Sequence, residues 1–188
     1  MNSIFLALEQ LRTQLSQALP ATPGIRHFDV SFPLNDAFDP LAWLGAQQCY
    51  PQFYWQQRNG DEELAALGAV IIFSSLALAT QFLREQNAPG DTRICGLNAF
   101  NPEQGSLFLP RLFWRRTAGT ATLRLQLWSD YSLQEDAHAA RDFLQQLQPA
   151  RPIRPLAVQV EHENHQPQRA EWLRLVRRAT ETIARGDF

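Results

Sequence analysis

The chain has 188 residues, 45% of them hydrophobic and 19% charged, with a formal net charge of -2, so it can bury a sizeable core and is not a disordered segment. That balance gives no long-range attraction for nucleic acid or an anionic membrane surface, and no apolar run approaches the ~20 residues of a membrane span. All seventeen basic residues are Arg, so the segment offers no lysine base, Schiff-base lysine or phosphate-loop lysine.

Two cysteines, Cys49 and Cys95, lie far apart with no Cys-x-x-Cys spacing, which points to reduced thiols rather than a disulfide framework or zinc ribbon. The opening MNSIFLALEQLRTQL lacks the basic start and small-residue cleavage site of a secretory signal. A soluble cytoplasmic protein is expected.

Ile4, Leu8, Leu11 and Leu15 recur at helical spacing and predict a helix from about Ser3 to Leu19, closed by Pro20. After the turn at Pro23-Gly24, a short strand is expected over Ile25 to Phe32. Asp39-Pro40 is a helix-start signal, with Asp as N-cap, for a short helix over Leu41 to Gln48. Phe53, Tyr54 and Trp55 then form a run of high strand propensity, answered by the apolar run Leu64 to Phe73. Between them Arg58-Asn59-Gly60-Asp61 reads as a hairpin turn, Asn-Gly being the pair that most readily takes positive φ. The unbroken aromatic triplet suits a strand covered on both faces, so this hairpin is expected inside a buried sheet. Ser74 or Ser75 can cap a helix with Leu76, Ala79 and Leu83 on one face, stopped at Asn87-Ala88-Pro89-Gly90.

A meander follows, with strands over Thr92 to Phe100, Leu107 to Arg116 and Ala121 to Ser129. In the third, Leu123, Leu125 and Leu127 face one way and Thr122, Arg124 and Gln126 the other, so one buried and one wetter side are expected. Pro110 cannot donate to a ladder, so its strand is expected at an edge or bulged there. Ser132 and Glu135 form a capping box ahead of the stripe Leu133, Ala137, Ala140, Leu144 and Leu147. Beyond the proline-rich stretch Pro149 to Pro155, a strand over Leu156 to Val160 and a polar loop precede a final helix from about Pro167 to Ala184. Its Trp172, Val176, Ala179 and Ile183 are expected inward and Arg174, Arg177 and Arg178 outward. Pro149 to Gln166 is the one plausible boundary, expected to cross a surface rather than to separate domains.

Five groups of residues invite a chemical reading. His162 and His165, among Glu161 and Glu163, have a spacing that would suit metal ligands on a helix, but the stretch is polar, abuts Pro167 and lacks a third ligand, so a solvated loop is expected. Asp61-Glu62-Glu63 is either an acid-base cluster or, after a hairpin turn, an exposed corner, and the corner is favoured. Arg115-Arg116 and the group Arg174, Arg177 and Arg178 are either anion sites or solvated faces and subunit contacts, and the latter fits the overall charge. Cys95 has no nearby His and reads as a buried small hydrophobe, while its neighbour Gly96 marks a bulge, a close backbone approach or simple packing.

Four stretches together resemble a known family: ALPATPGIR (Ala18 to Arg26), YPQFYWQQRNGDEE (Tyr50 to Glu63), RICGLNAFNPEQG (Arg93 to Gly105) and FLPRLFWRR (Phe108 to Arg116). They are similar to the N-terminal portion of menaquinone-specific isochorismate synthases, members of the chorismate-utilising enzymes. Arg93, Gly96 and Phe100 carry a family-level Arg-x-x-Gly-x-x-x-Phe pattern. Leu97 departs from it, since many members have a second Gly there. The resemblance implies an α+β fold, an antiparallel meander with flanking helices within a larger two-sheet domain, of which residues 1–188 are the N-terminal portion. It implies conversion of chorismate to isochorismate by a lysine base and a glutamic acid with Mg²⁺, all supplied by a C-terminal portion beyond Phe188. No catalytic, substrate-binding or metal-binding residue is therefore assigned within this chain. The implied partners are chorismate and that C-terminal portion, with no nucleic acid and no membrane. Two alternatives are a siderophore-pathway isochorismate or salicylate synthase segment and a non-catalytic truncated structural module. The isolated chain is expected to be inactive and poorly soluble.

Overall fold

Side-chain caps set where three helices begin. Asp39 accepts hydrogen bonds from the amides of Leu41 (2.9 Å) and Ala42 (3.0 Å), Ser75 from that of Leu78 (3.3 Å), and Ser132 from that of Glu135 (3.4 Å). The computed structural model describes residues 3–17, 19–34, 38–101, 103–153, 157, 159 and 161–187. Two compact units result, Met1–Ile153 and Arg154–Phe188, so the proline-rich stretch, expected only to cross a surface, instead divides the chain.

The first unit runs α1 (Ser3–Leu15), β1 (Gly24–Pro33), α2 (Pro40–Ala46), β2 (Gln52–Gln56), β3 (Glu62–Phe73), α3 (Leu76–Glu85), β4 (Cys95–Asn98), β5 (Gly105–Thr117), β6 (Thr120–Ser129) and α4 (Leu133–Gln146). α1 stops a turn earlier than the apolar spacing predicts. The Ser16 hydroxyl donates to the Thr13 carbonyl at 2.6 Å, competing with continuation of the helix.

All six strands join one antiparallel sheet, in the order β1-β6-β5-β3-β2, with β4 paired to β5 off that path. The meander is present but not as a flat ribbon. β3 lies along one edge of β5, and β4 and β6 share its other edge end to end: Phe108 pairs with both Ile72 and Cys95, and Leu112 with both Leu67 and Leu125. Pro110 sits in this central strand, not at an edge, and lies opposite Ala69 where the β3–β5 register slips between Ala69 and Ile71. The bulge accommodates the missing N–H.

The largest core cluster covers one face of the sheet. Leu112, Trp114, Leu123, Leu125 and Leu127, with Ala65 and Leu67 of β3, meet Leu8, Leu11 and Leu15 of α1, Trp43 of α2, and Leu133, Ala137, Ala140 and Leu144 of α4. Each fully buried Leu contributes about 1.5–3 kcal/mol, so this face dominates the stability of the unit. Leu64, Ala66, Cys95, Phe108 and Phe113 form a second cluster, and α3 closes a third with Ala79 and Phe82 on Phe73, Leu107 and Leu109. The inward face of α3 is therefore Ala79 and Phe82, with Leu83 partly buried against the same cluster as expected, while Leu76, expected on that face, is 49% exposed.

Two expectations about the hairpin change. β2 is the last strand of the sheet, so its aromatic triplet is only half-covered, with Trp55 43% exposed. An edge strand has a neighbour on one side only, and no described residue supplies the other. The turn also differs, because only Gly60 of the Asn-Gly pair has positive φ, 79°. Gln57 N–H donates to the Glu62 carbonyl at 2.8 Å, which leaves a four-residue loop, and Asn59 Oδ1 accepts from Asp61 N–H at 3.3 Å. The positive-φ pair belongs instead to Ala118 (46°) and Gly119 (80°) between the paired residues Thr117 and Thr120, the two-residue geometry that suits strand twist.

In the second unit, α5 (Arg169–Arg185) ends on Gly186 in the left-handed conformation, φ 75°. None of its residues is buried: Trp172, Val176 and Ile183, expected inward, are 54%, 39% and 63% exposed. The apolar stripe is there, but this unit has no second described helix or strand to bury it against. Of the strand expected over Leu156 to Val160, Leu156, Val158 and Val160 lie outside the described residues, and Ala157 and Gln159 are not in a strand.

Candidate functional site

The ionisable side chains that the sequence singles out near the hairpin turn toward one another. Pairing of β3 with β5 places Glu63 opposite Arg116. The Glu63 carboxylate, buried at 7% exposure, meets Arg116 at 3.1 Å and accepts from the Tyr54 hydroxyl at 2.7 Å, while Arg115 Nε donates to Glu62 at 2.6 Å. Burial, followed by the hydrogen bond and charge of Glu63, pushes the Tyr54 phenol up to about 12. The expected exposed corner is thus corrected for Glu63. Register turns both carboxylates and both arginines into cross-strand pairs, leaving neither an acid-base couple nor a free anion site.

Two further networks centre on the buried arginines Arg111 and Arg124. Arg111 on β5 donates from Nη1 and Nη2 to the two oxygens of Asp136 on α4, at 2.6 Å each, and from Nη1 to the Gln126 carbonyl at 2.9 Å. Asp136 also accepts from the Trp128 amide at 3.0 Å, and Gln126 Nε2 donates to the Pro110 carbonyl at 2.8 Å. Arg124 on β6 donates to both oxygens of Asp29 on β1 at 2.6 Å each and to the Asp91 carboxylate, with its guanidinium 5.6 Å from the Phe113 ring centre. The Arg124 hydrogen bond is the main cause holding the Asp91 carboxyl below its usual range. For Arg124, desolvation is the largest single influence and disfavours the charge, but the hydrogen bonds and charges of Asp29 and Asp91 together hold it above the ordinary arginine value. A single charge inside the apolar run LFLPRLFW was the available signal for Arg111, since a charge there has to be paired.

The remaining candidates do not assemble. His162 and His165 are exposed, and His165 meets only Glu163, at 2.6 Å. Arg174, Arg177 and Arg178 lie exposed on α5. Cys95 is buried, and desolvation pushes its thiol up to about 12, which makes it a poor nucleophile at neutral pH. Gly96 is the close backbone approach: at φ 137°, a Cβ there would stand 2.1 Å from the Ser106 carbonyl oxygen. Leu97 is 73% exposed, so its side chain does not tighten that contact. Among the described residues no group of three or more His, Cys, Asp and Glu could hold a metal ion, and no helix is long and apolar enough to cross a membrane. The described residues therefore do not fit a Mg²⁺ site.

No protein-family model matches the chain. Over all 188 residues it is 54% identical to isochorismate synthase MenF of Escherichia coli, covering 44% of that protein. It is 40% identical over 90 residues, 47% of this chain and 20% of the relative, to MenF of Haemophilus influenzae. With MenF of Pasteurella multocida the identity is 29% over 152 residues, 80% of this chain and 34% of the relative. The solved structure of E. coli MenF, described as the menaquinone-specific isochorismate synthase, superposes with a TM-score of 0.82 over 97% of this chain and 43% of that one. The chain thus spans less than half the length of the curated relatives it matches. Its antiparallel sheet, flanking helices and full-length sequence agreement make it a counterpart of the N-terminal part of the MenF isochorismate synthases.

Proposed function

We propose that the chain is the scaffold half of an enzyme that converts chorismate to isochorismate for menaquinone synthesis. The observation that carries this is the agreement with E. coli MenF in both sequence, 54% identity from end to end, and fold, TM-score 0.82. In this reading residues 1–188 are one portion of a single larger domain, soluble and cytoplasmic, and the reacting groups sit elsewhere in that domain.

The closed state of the ionisable groups supports the scaffold role. Glu62, Glu63, Asp29 and Asp136 are each paired with an arginine, the Cys95 thiol is buried, and there is no lysine to serve as base. What the chain supplies is a rigid sheet, held by two arginine networks, on which a second portion can be built. The base, the acid and the groups holding Mg²⁺ belong to that second portion.

Product analysis tests the proposal. The complete polypeptide containing this chain, incubated with chorismate and Mg²⁺, is expected to yield isochorismate and to lose activity on chelation, while residues 1–188 alone yield nothing. Salicylate with pyruvate would assign the siderophore alternative, and turnover by the 188-residue chain alone would overturn the scaffold assignment.

A further inference from the structure

The connection from α3 to β4 is tied down in an unusual place. After α3, Ala88 N–H donates to the Leu83 carbonyl at 3.0 Å and Thr92 N–H to the Pro89 carbonyl at 2.8 Å, so the segment is ordered by short-range bonds at its start and middle. It then runs through Ile94 into β4, a four-residue strand whose pairing partner is β5. Asp91, midway along, reaches across to Arg124 on β6, pairing side chain to side chain and accepting a further bond from Nη1 at its carbonyl, 3.4 Å. The same guanidinium is held from the other side by Asp29 and lies over Phe113, which shares a buried cluster with Cys95 and Phe108. Asp91 therefore fastens the segment to the residue that lies over the cluster at whose margin the segment ends.

We propose that residues 87–94 form a strap latched by Asp91 onto Arg124, and that unlatching it opens the Phe113, Phe108 and Cys95 cluster locally while the rest of the sheet stays folded. Three features make the strap the first element to open. Half of its eight residues are exposed and Thr92 alone among them is buried, β4 contributes only four paired residues, and the Asp91 side chain is 52% exposed whereas Arg124 is 6% exposed. Removing Asp91 leaves Arg124 still paired bidentately with Asp29, so the buried cation is not orphaned and the loss falls on the strap.

The two cysteines read this out. Cys49 is half-buried and lies between α2 and β2, outside the strap, whereas Cys95 is buried at the strap's end. Trypsin, cleaving after Arg, places Cys49 in the peptide 27–58 and Cys95 in the peptide 94–111, so alkylation by iodoacetamide can be timed at each site by mass spectrometry. Asp91→Asn is expected to speed alkylation of Cys95 roughly 1.5- to fivefold while Cys49 keeps its wild-type rate, the scale of losing one partly exposed ion pair that gates a local opening. Asp29→Asn, which leaves the latch in place, is expected to keep Cys95 slow. An unchanged Cys95 rate in Asp91→Asn, a rise at both cysteines in step, or equal acceleration in Asp29→Asn would each overturn the strap.

Discussion

Asp136→Ala removes the carboxylate that joins α4 to the sheet, and its cost follows from what is left behind. Arg111 keeps only the Gln126 carbonyl, and the Trp128 amide loses its acceptor. The side chains of the pair are 9% and 13% exposed, so water reaches the stranded guanidinium poorly. Breaking a buried ion pair from one side costs about 3–5 kcal/mol, and the residual bond of Arg111 places this case near ~3 kcal/mol. Measured against a typical total of about 5–15 kcal/mol, that is a large share of the stability. With a urea slope of ~2–3 kcal/mol/M for a protein of this size, the midpoint should fall by roughly 1–1.5 M. Fluorescence reports it well, since Trp43 and Trp114 are each 1% exposed in the core that α4 helps to close. The double variant Arg111→Met/Asp136→Leu discards both charges and should be less destabilised than Asp136→Ala alone. A loss below ~1 kcal/mol in the single variant, or a double variant worse than the single one, would refute the role assigned to this pair.

Gly96→Ala should cost at least ~3 kcal/mol by thermal or urea unfolding, because its Cβ would collide with backbone at 2.1 Å, whereas Gly90→Ala, with nothing within 4 Å, should stay within ~0.5 kcal/mol. Ala118→Asn should stabilise by roughly 0.5–1 kcal/mol, since Asn tolerates the φ of 46° that strains Ala; a destabilised variant would contradict the turn geometry. In a spectrophotometric alkaline titration, the difference between wild type and Tyr54→Phe should isolate a phenol that ionises at about 12 instead of near 10. Because this folded-state value is raised, the stability it contributes is complete below pH 10 and disappears as the pH rises toward 12, a loss that Tyr54→Phe should lack.

What local chemistry dictates was legible without tertiary information. Asp39, Ser75 and Ser132 cap the helices they were expected to cap, because an N-cap needs only its own next two or three amides. The alternation of Leu123, Leu125 and Leu127 picked out the face of β6 that meets the main core, but Arg124 (5% exposed) and Gln126 (1%) on the side expected to be wetter are buried too. The stripe of α4 buried Leu133, Ala137, Ala140 and Leu144 as its spacing requires. Residue patterns in RICGLNAF and YPQFYWQQRNGDEE carried the family resemblance as well, ahead of any coordinates.

Only the tertiary structure decided which charges meet and which strand lies at an edge. Arg124 and Asp29 are 95 residues apart, Arg124 and Asp91 33, and Arg111 and Asp136 25, and no sequence period links such positions. They become neighbours because β4 and β6 share one edge of β5 and α4 folds back over the sheet, a global choice set by burial of the whole core. The same holds for the aromatic triplet. Its strand propensity fixed Phe53, Tyr54 and Trp55 as a strand, but propensity is a property of one segment, and whether a strand has one neighbour or two depends on where the other strands go.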